Sequence, residues 1–105
     1  MLDIQKDMVK CFSYMSFLIE LSKGNQMSGY DVMMLVKKFG GEVSPGTVYH
    51  QIERFKKNGF IKGIQDVDGK TIYEITDEGM KAFKEFRDTW REPFHYLYQN
   101  IINSQ

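Results

Sequence analysis

The sequence predicts a mainly α-helical fold with one small β-hairpin, arranged as a winged helix-turn-helix followed by a long C-terminal helix. Capping residues mark both ends of a short helix between Ser44 and Gly59. An Asp-Gly pair at 68–69 separates two strand-like runs, and an apolar stripe at helical spacing follows them. We therefore assign 1–75 to a winged-helix domain and 76–105 to the C-terminal helix.

The first predicted helix carries two adjacent apolar stripes. They consist of Met8, Phe12, Met15 and Ile19, and of Cys11, Tyr14, Leu18 and Leu21. A helix with so wide an apolar surface is expected to be buried on more than one side. We assign Phe12, Met15 and Ile19 to a dimer interface. Cys11 is the single cysteine, and we interpret it as a core thiol in a reducing compartment.

The second predicted helix begins at Ser28, which forms a capping box with Asp31. Two consecutive glycines at 40–41 end it. Its apolar side is expected to comprise Tyr30, Met33, Met34 and Val36. The connection to the next helix is only about four residues, which is within the usual range for packed helices. The two helices therefore form a predicted helix-turn-helix.

The third predicted helix begins at Ser44, whose hydroxyl can accept a hydrogen bond from a free backbone N–H one turn later. A proline follows at the first helical position, where a missing N–H costs nothing. Gly59 suits the left-handed position just past the end. Val48, Ile52 and Phe55 recur at spacings of four and three residues, so they predict one buried face.

The opposite face of the third helix is polar. It carries Thr47, Tyr49, His50, Gln51, Arg54 and Lys57. Side chains of these types hydrogen-bond base edges and phosphates. A helix of this kind after a tight turn is typical of the recognition helix in a DNA-binding helix-turn-helix. We predict that its N-terminal end enters the major groove, with Thr47, His50 and Gln51 facing base edges. Tyr49 and Arg54 are predicted to contact phosphate.

A β-hairpin is predicted after the helix-turn-helix. Residues 60–65 and 71–75 alternate as strands on either side of the Asp-Gly turn. A hairpin in this position is a wing. Thr76 then caps the final helix, where Asp77 and Glu78 suit the positive first turn.

The final helix has an apolar stripe that is too long for a domain of this size to cover. The stripe assigned to the dimer interface is Phe83, Phe86, Trp90, Phe94, Leu97 and Ile101. Roughly 25 helical residues would extend about 37 Å. The outer half is therefore expected to pack against a second copy of the chain. Pro93 is expected to kink or divide this helix, since proline removes an intrahelical hydrogen bond.

The charges are balanced, with 14 lysines and arginines against 14 aspartates and glutamates. Many DNA-binding domains are clearly basic. Basic residues nevertheless gather between 37 and 62, and acidic residues gather in the final helix. This asymmetry favours one face pointing toward phosphate, but an ordinary solvated lysine face explains it equally well. The motifs therefore decide the interpretation.

The sequence has none of the arrangements that catalysis requires, such as a nucleophile beside a base or a phosphate-binding glycine loop. His50 and His95 lack a second ligand at metal-binding spacing, so we expect no metal and no cofactor. No run of residues has the length and apolarity of a membrane span. We predict a cytoplasmic protein that is not an enzyme and does not contact membranes.

Four short motifs, in order, resemble those of the PadR family of winged-helix transcriptional regulators. They are Ser-Gly-Tyr-Asp at 28–31, Ser-Pro-Gly-Thr-Val-Tyr at 44–49, Asn-Gly-Phe-Ile at 58–61 and Tyr-Glu-Ile-Thr-Asp-Glu-Gly at 73–79. The resemblance implies a homodimeric repressor of the small form, with a single C-terminal dimerisation helix. It implies DNA contacts for Ser44, Gly46, Thr47 and Tyr49, and a wing tip formed by Gly69 and Lys70.

One feature departs from the family pattern. The family's wing usually carries several arginines before its paired aromatics, whereas here Lys70 stands alone and Glu74 lies further along the strand. The predicted function is sequence-specific binding of double-stranded DNA at a pseudo-palindromic operator. The alternative is a winged helix used only for protein–protein interaction. The resemblance also suggests a small aromatic effector that binds Trp90 at a dimer cleft.

Overall fold

The computed structural model describes residues 2–104, which form four helices and one hairpin. Helices α1 and α2 span Ile4–Ser22 and Gly29–Lys38, and α3 spans Pro45–Lys57. The strands β1 and β2 span Ile61–Gln65 and Thr71–Ile75, and α4 spans Asp77–Ile102. This order confirms the predicted winged helix-turn-helix with a long C-terminal helix.

The helix starts follow the predicted capping chemistry. The Ser28 hydroxyl accepts from the Asp31 N–H at 3.1 Å, and the Asp31 carboxylate accepts from the Ser28 N–H at 2.8 Å. The N-cap of α4 is Thr76, which accepts from the Gly79 N–H at 3.0 Å. Each cap gives a partner to an N–H that the helix itself leaves unpaired.

The core lies where α1, α2 and α3 meet the base of the hairpin. Its buried side chains are Phe17, Leu21, Met27, Val32, Val48, Ile52, Phe55 and Ile61. The buried face predicted for α3 is therefore confirmed. The apolar side predicted for α2 is wrong in part, because Tyr30 and Met34 are exposed, whereas Val36 is buried as predicted and Val32, which was not assigned to that side, is buried beside it. Apolar residue types occur on both sides of this short helix, so its spacing alone did not identify the buried side.

The prediction for Cys11 is also wrong. Its side chain is exposed, because α1 buries a neighbouring face through Ser13, Phe17 and Leu21. The thiol lies 3.6 Å from the Met15 sulfur, one turn further along the helix.

The hairpin is antiparallel, and Ile61 pairs with Ile75 at its base and Gln65 with Thr71 near its tip. Met27 extends it by exchanging two backbone hydrogen bonds with Tyr73, at 3.1 and 2.7 Å. The hairpin is thereby fixed to the segment that leads into α2.

Helix α4 is continuous through Pro93, so the predicted division of the helix is wrong. Its N-terminal part packs on α1 and the hairpin, whereas every residue from Arg87 to Ser104 is exposed. The outer half therefore extends away from the other elements, and the described chain, with α4 included, measures 50 × 29 × 23 Å along its principal axes.

Candidate nucleic-acid interface

The N-terminal end of α3 is exposed and well capped. The Ser44 hydroxyl accepts from the Thr47 N–H at 3.1 Å and donates to the Thr47 hydroxyl at 2.9 Å. Pro45 occupies the first helical position. Gly46 lies in open space, since a Cβ built on it would meet no other residue within 4 Å. Free N–H groups at such a helix end, together with the helix dipole, favour an anion.

The outward face of α3 presents four of the predicted site residues to solvent. These are Tyr49, His50, Arg54 and Lys57. Tyr49 is 66% exposed, so it is a surface side chain and not a core aromatic. Thr47 is half-buried beside Ser44. Aromatic, imidazole and guanidinium groups are thus brought together on one helix face, which suits contacts to base edges and phosphate.

The predicted position of Gln51 on the exposed face is wrong, because its side chain is only 7% exposed. Its amide oxygen accepts from the Ser13 hydroxyl at 2.9 Å, and its amide nitrogen donates to the Lys10 carbonyl at 3.1 Å. Ser13 is fully buried. Gln51 therefore joins α3 to α1. The sequence did not reveal this, because the partner lies 38 residues away and glutamine is usually a surface residue.

A cleft of about 760 Å³ lies between α1 and the exposed face of α3. On the α3 side it is lined by Thr47, His50 and Arg54. On the α1 side it is lined by Lys10 and by two residues of the second α1 stripe, Cys11 and Tyr14. Lys10 is not among the residues predicted for the site, although it lies immediately before Cys11.

The Arg54 guanidinium lies over the Tyr14 ring, 5.7 Å from its centre. Tyr14 in turn stacks on the buried ring of Phe55 at 4.6 Å. A cation over an aromatic face is attracted by the ring quadrupole, so Arg54 is held toward the cleft.

The wing tip is a tight turn organised by Asp66, whose carboxylate accepts from the N–H groups of Asp68 and Lys70 at 2.9 and 3.0 Å. Gly69 has φ +78°, a conformation that glycine adopts without a Cβ penalty. The Lys70 ammonium lies 5.6 Å from the centre of the Tyr30 ring. The predicted tip residues are thus brought close to the start of α2.

Glu74 reduces the positive charge of the wing, because it pairs with Lys62 at 3.2 Å. A hydrogen bond from Gln26, together with the Lys62 ammonium, lowers the pKa of the Glu74 carboxyl. The carboxylate is therefore charged at neutral pH and Lys62 is paired, which leaves Lys70 as the wing's unpaired cation among the described residues.

The residues assigned to the dimer interface lie on α1 and α4. Met15, Phe83 and Phe86 are half-buried around a small cavity of about 140 Å³ between these helices. Six others are exposed in the single chain, namely Phe12, Ile19, Trp90, Phe94, Leu97 and Ile101. The rings of Phe86 and Trp90 lie 5.8 and 6.2 Å from that of Phe94.

Residues 2–104 contain no group of three or more His, Cys, Asp or Glu side chains that could hold a metal ion. In the same range, no helix combines the length and apolarity needed to cross a bilayer. The helix-turn-helix, the wing and the long C-terminal helix define the chain as a winged-helix protein of the kind found among transcriptional regulators.

Comparison with protein families matches residues 18–85, more than half of the chain, to the transcriptional regulator PadR-like family. The chain belongs to this family of transcriptional regulators and is not an enzyme. Comparison with curated proteins gives no match.

Solved structures of transcriptional regulators share the fold. A PadR-like transcriptional regulator from Bacillus cereus is 25% identical and has a TM-score of 0.72, over 94% of this chain and 99% of that chain. A transcriptional regulator from Clostridium thermocellum is 22% identical with a TM-score of 0.68, over 92% and 97%. Bacillus subtilis PadR, in complex with operator DNA, is 23% identical with a TM-score of 0.59, over 72% of this chain and 46% of that chain.

Proposed function

We propose that this protein is a homodimeric repressor that binds a pseudo-palindromic operator and acts in the cytoplasm. The observation that carries the proposal is the capped, open N-terminal half of α3, where Tyr49 and His50 are exposed and Gly46 leaves room for close approach. The structure of Bacillus subtilis PadR with operator DNA supports the same use of the fold.

The exposed side chains divide into two roles under this proposal. His50 faces base edges, whereas Tyr49, Arg54 and Lys57 contact phosphate or sugar, and Lys70 contacts the backbone from the wing. The hydroxyls of Ser44 and Thr47 are engaged with each other, so their contribution is to fix the helix end that approaches the DNA. A two-fold dimer presents two such helices, and the half-sites are expected about 34–36 Å apart.

The dimer of this proposal buries the exposed stripe of α4 together with the apolar face of α1. This packing gives a partner to large side chains such as Trp90, Phe94 and Leu97, which are 47%, 38% and 49% exposed in the single chain. Exposed apolar surface on this scale marks an interaction site. Repression follows if the dimer occupies a site that polymerase needs.

Binding to DNA is tested by its dependence on salt, with a duplex selected from random-sequence DNA as the probe. Replacing Arg54 or Lys70 by glutamine removes one phosphate contact from each protomer. Either change is expected to lower affinity for all sequences and to reduce the salt slope of the dimer by about two units. Tyr49→Ala is expected to weaken binding while the protein stays a folded dimer. Negligible binding to every duplex at low salt would instead favour a protein-interaction module. If Tyr49→Ala binds DNA like the parent, α3 is not the recognition helix.

We further propose that a cleft between the two subunits leaves one face of Trp90 open and that a flat aromatic effector stacks there, next to the ring of Phe94, which lies 6.2 Å from the indole. Trp90 is the single tryptophan, so its fluorescence reports on this site directly. Planar aromatic cations are expected to quench the Trp90 fluorescence saturably and to release DNA from the protein. Tetramethylammonium, a cation without an aromatic ring, is expected to do neither. Quenching by none of a panel of planar cations would leave Trp90 with an interface role alone.

A further inference from the structure

The cleft between α1 and α3 lies beside the face of α3 that is proposed to read DNA. Its lining combines Lys10 from α1 with His50 and Arg54 from α3. No aspartate or glutamate lines it within the described residues 2–104. In a chain with equal numbers of acidic and basic residues, a cleft of this composition favours an anion.

The two cations of the cleft are free of ion pairs. Within residues 2–104 the paired cations are Lys23, Lys56, Lys62 and Arg87. Lys10 and Arg54 pair with no carboxylate in that part of the chain, and Arg54 is instead oriented by the ring of Tyr14. Unpaired ammonium and guanidinium groups gain most from phosphate, since no existing pair has to be broken.

The position of Lys10 relative to α3 is fixed by the buried polar link between the helices. The Lys10 carbonyl accepts from the Gln51 side chain at 3.1 Å, and the Ser13 hydroxyl holds the other end of that amide at 2.9 Å. Buried hydrogen bonds of this kind are costly to break. The backbone of Lys10 therefore keeps a fixed position relative to α3.

We propose that one strand of the DNA backbone passes along this cleft and that Lys10 binds a phosphate there, next to the one bound by Arg54. The proposal rests on the proposed function, because it extends the DNA contact of α3 onto α1. The interface thus includes three elements of each protomer, namely α1, α3 and the wing.

The test is the salt dependence of the full-length dimer for a selected duplex and for a random-sequence duplex. In the dimer, Lys10→Gln removes one phosphate contact from each protomer, which reduces the salt slope by about 1.8 and at 0.1 M salt corresponds to roughly 60-fold weaker binding. Lys10→Gln is expected to show this loss equally on both duplexes. Lys84→Gln, the same charge change at an exposed position of α4, is the matched control and is expected to bind like the parent.

The outcomes separate the two proposals. If the parent binds neither duplex at low salt, the proposed function fails. If the parent binds DNA and the salt slope of Lys10→Gln equals that of Lys84→Gln, the proposed function stands and a phosphate contact by Lys10 in the cleft is excluded.

Cys11 provides a second measurement, because it is the single cysteine and lines the same cleft. Saturating duplex is expected to slow alkylation of its thiol by iodoacetamide. Equal measurable rates with and without duplex would place the DNA outside the cleft.

Discussion

Gly79→Ala is expected to destabilise the fold severely. A Cβ at this buried position would overlap the carbonyl oxygen of Phe60 and would lie 2.8 Å from the Ile75 side chain. The overlap is with backbone, so no side-chain rotation relieves it. Overpacking of this kind costs about 3 kcal/mol, which for a domain of this size lowers Tm by roughly 12–24 °C.

The crowding at Gly79 arises because three elements meet there. Thr76 donates its N–H to the Phe60 carbonyl at 3.0 Å and its hydroxyl to the Gly59 carbonyl at 2.6 Å. The end of α3, the base of the hairpin and the start of α4 are thereby joined through backbone atoms. A substitution at this junction disturbs all three.

The control for this prediction is Gly46→Ala, since a Cβ at Gly46 meets nothing within 4 Å and lies in the first turn of α3. Alanine is the better helix former, so thermal unfolding should be unchanged or shifted upward. Equal Tm values for the two variants would contradict the assigned packing at Gly79.

Truncation after Glu92 is expected to abolish the dimer. It removes the outer half of the α4 stripe, including Leu97 and Ile101, which are 49% and 69% exposed in the single chain. Light scattering should then report monomer or aggregate. Operator affinity should fall by about 10²-fold or more, because the second half-site no longer benefits from the effective concentration that the dimer provides.

A point substitution separates loss of the interface from general damage to the helix. Leu97→Asp places a charge in the stripe and is expected to give monomer, whereas Gln99→Asp places the same charge on the opposite face of α4 and is expected to remain dimeric. A dimer that persists in both the truncated protein and Leu97→Asp would show that α4 is not the interface.

The boundaries of α2, α3 and the two strands, and the start of α4, could be predicted to within a residue or two, because local chemistry marks them. Ser28, Ser44 and Thr76 are caps whose partners lie three residues away, and the Asp-Gly turn is equally local. Short-range hydrogen bonds of this kind are visible in the sequence itself.

The candidate site was less predictable, because parts of it depend on contacts between distant residues. The partners of Gln51 lie in α1, so helical phase alone placed it on the exposed face. Lys10 was missed for the same reason. In α4, Pro93 fits within one continuous helix, although proline usually interrupts a helix of this kind.

The link through Gln51 and Ser13 has a consequence for the geometry of the assembled protein. Helix α1 belongs to the proposed dimer interface and is also joined to α3 by buried hydrogen bonds. The distance between the two α3 helices is therefore determined by how each α1 packs against the partner chain. A change of a few degrees in the angle between protomers alters that distance without any rearrangement inside a protomer. Substitutions at the two-fold axis should therefore change the preferred spacing of the half-sites, although none of the substituted residues touches DNA.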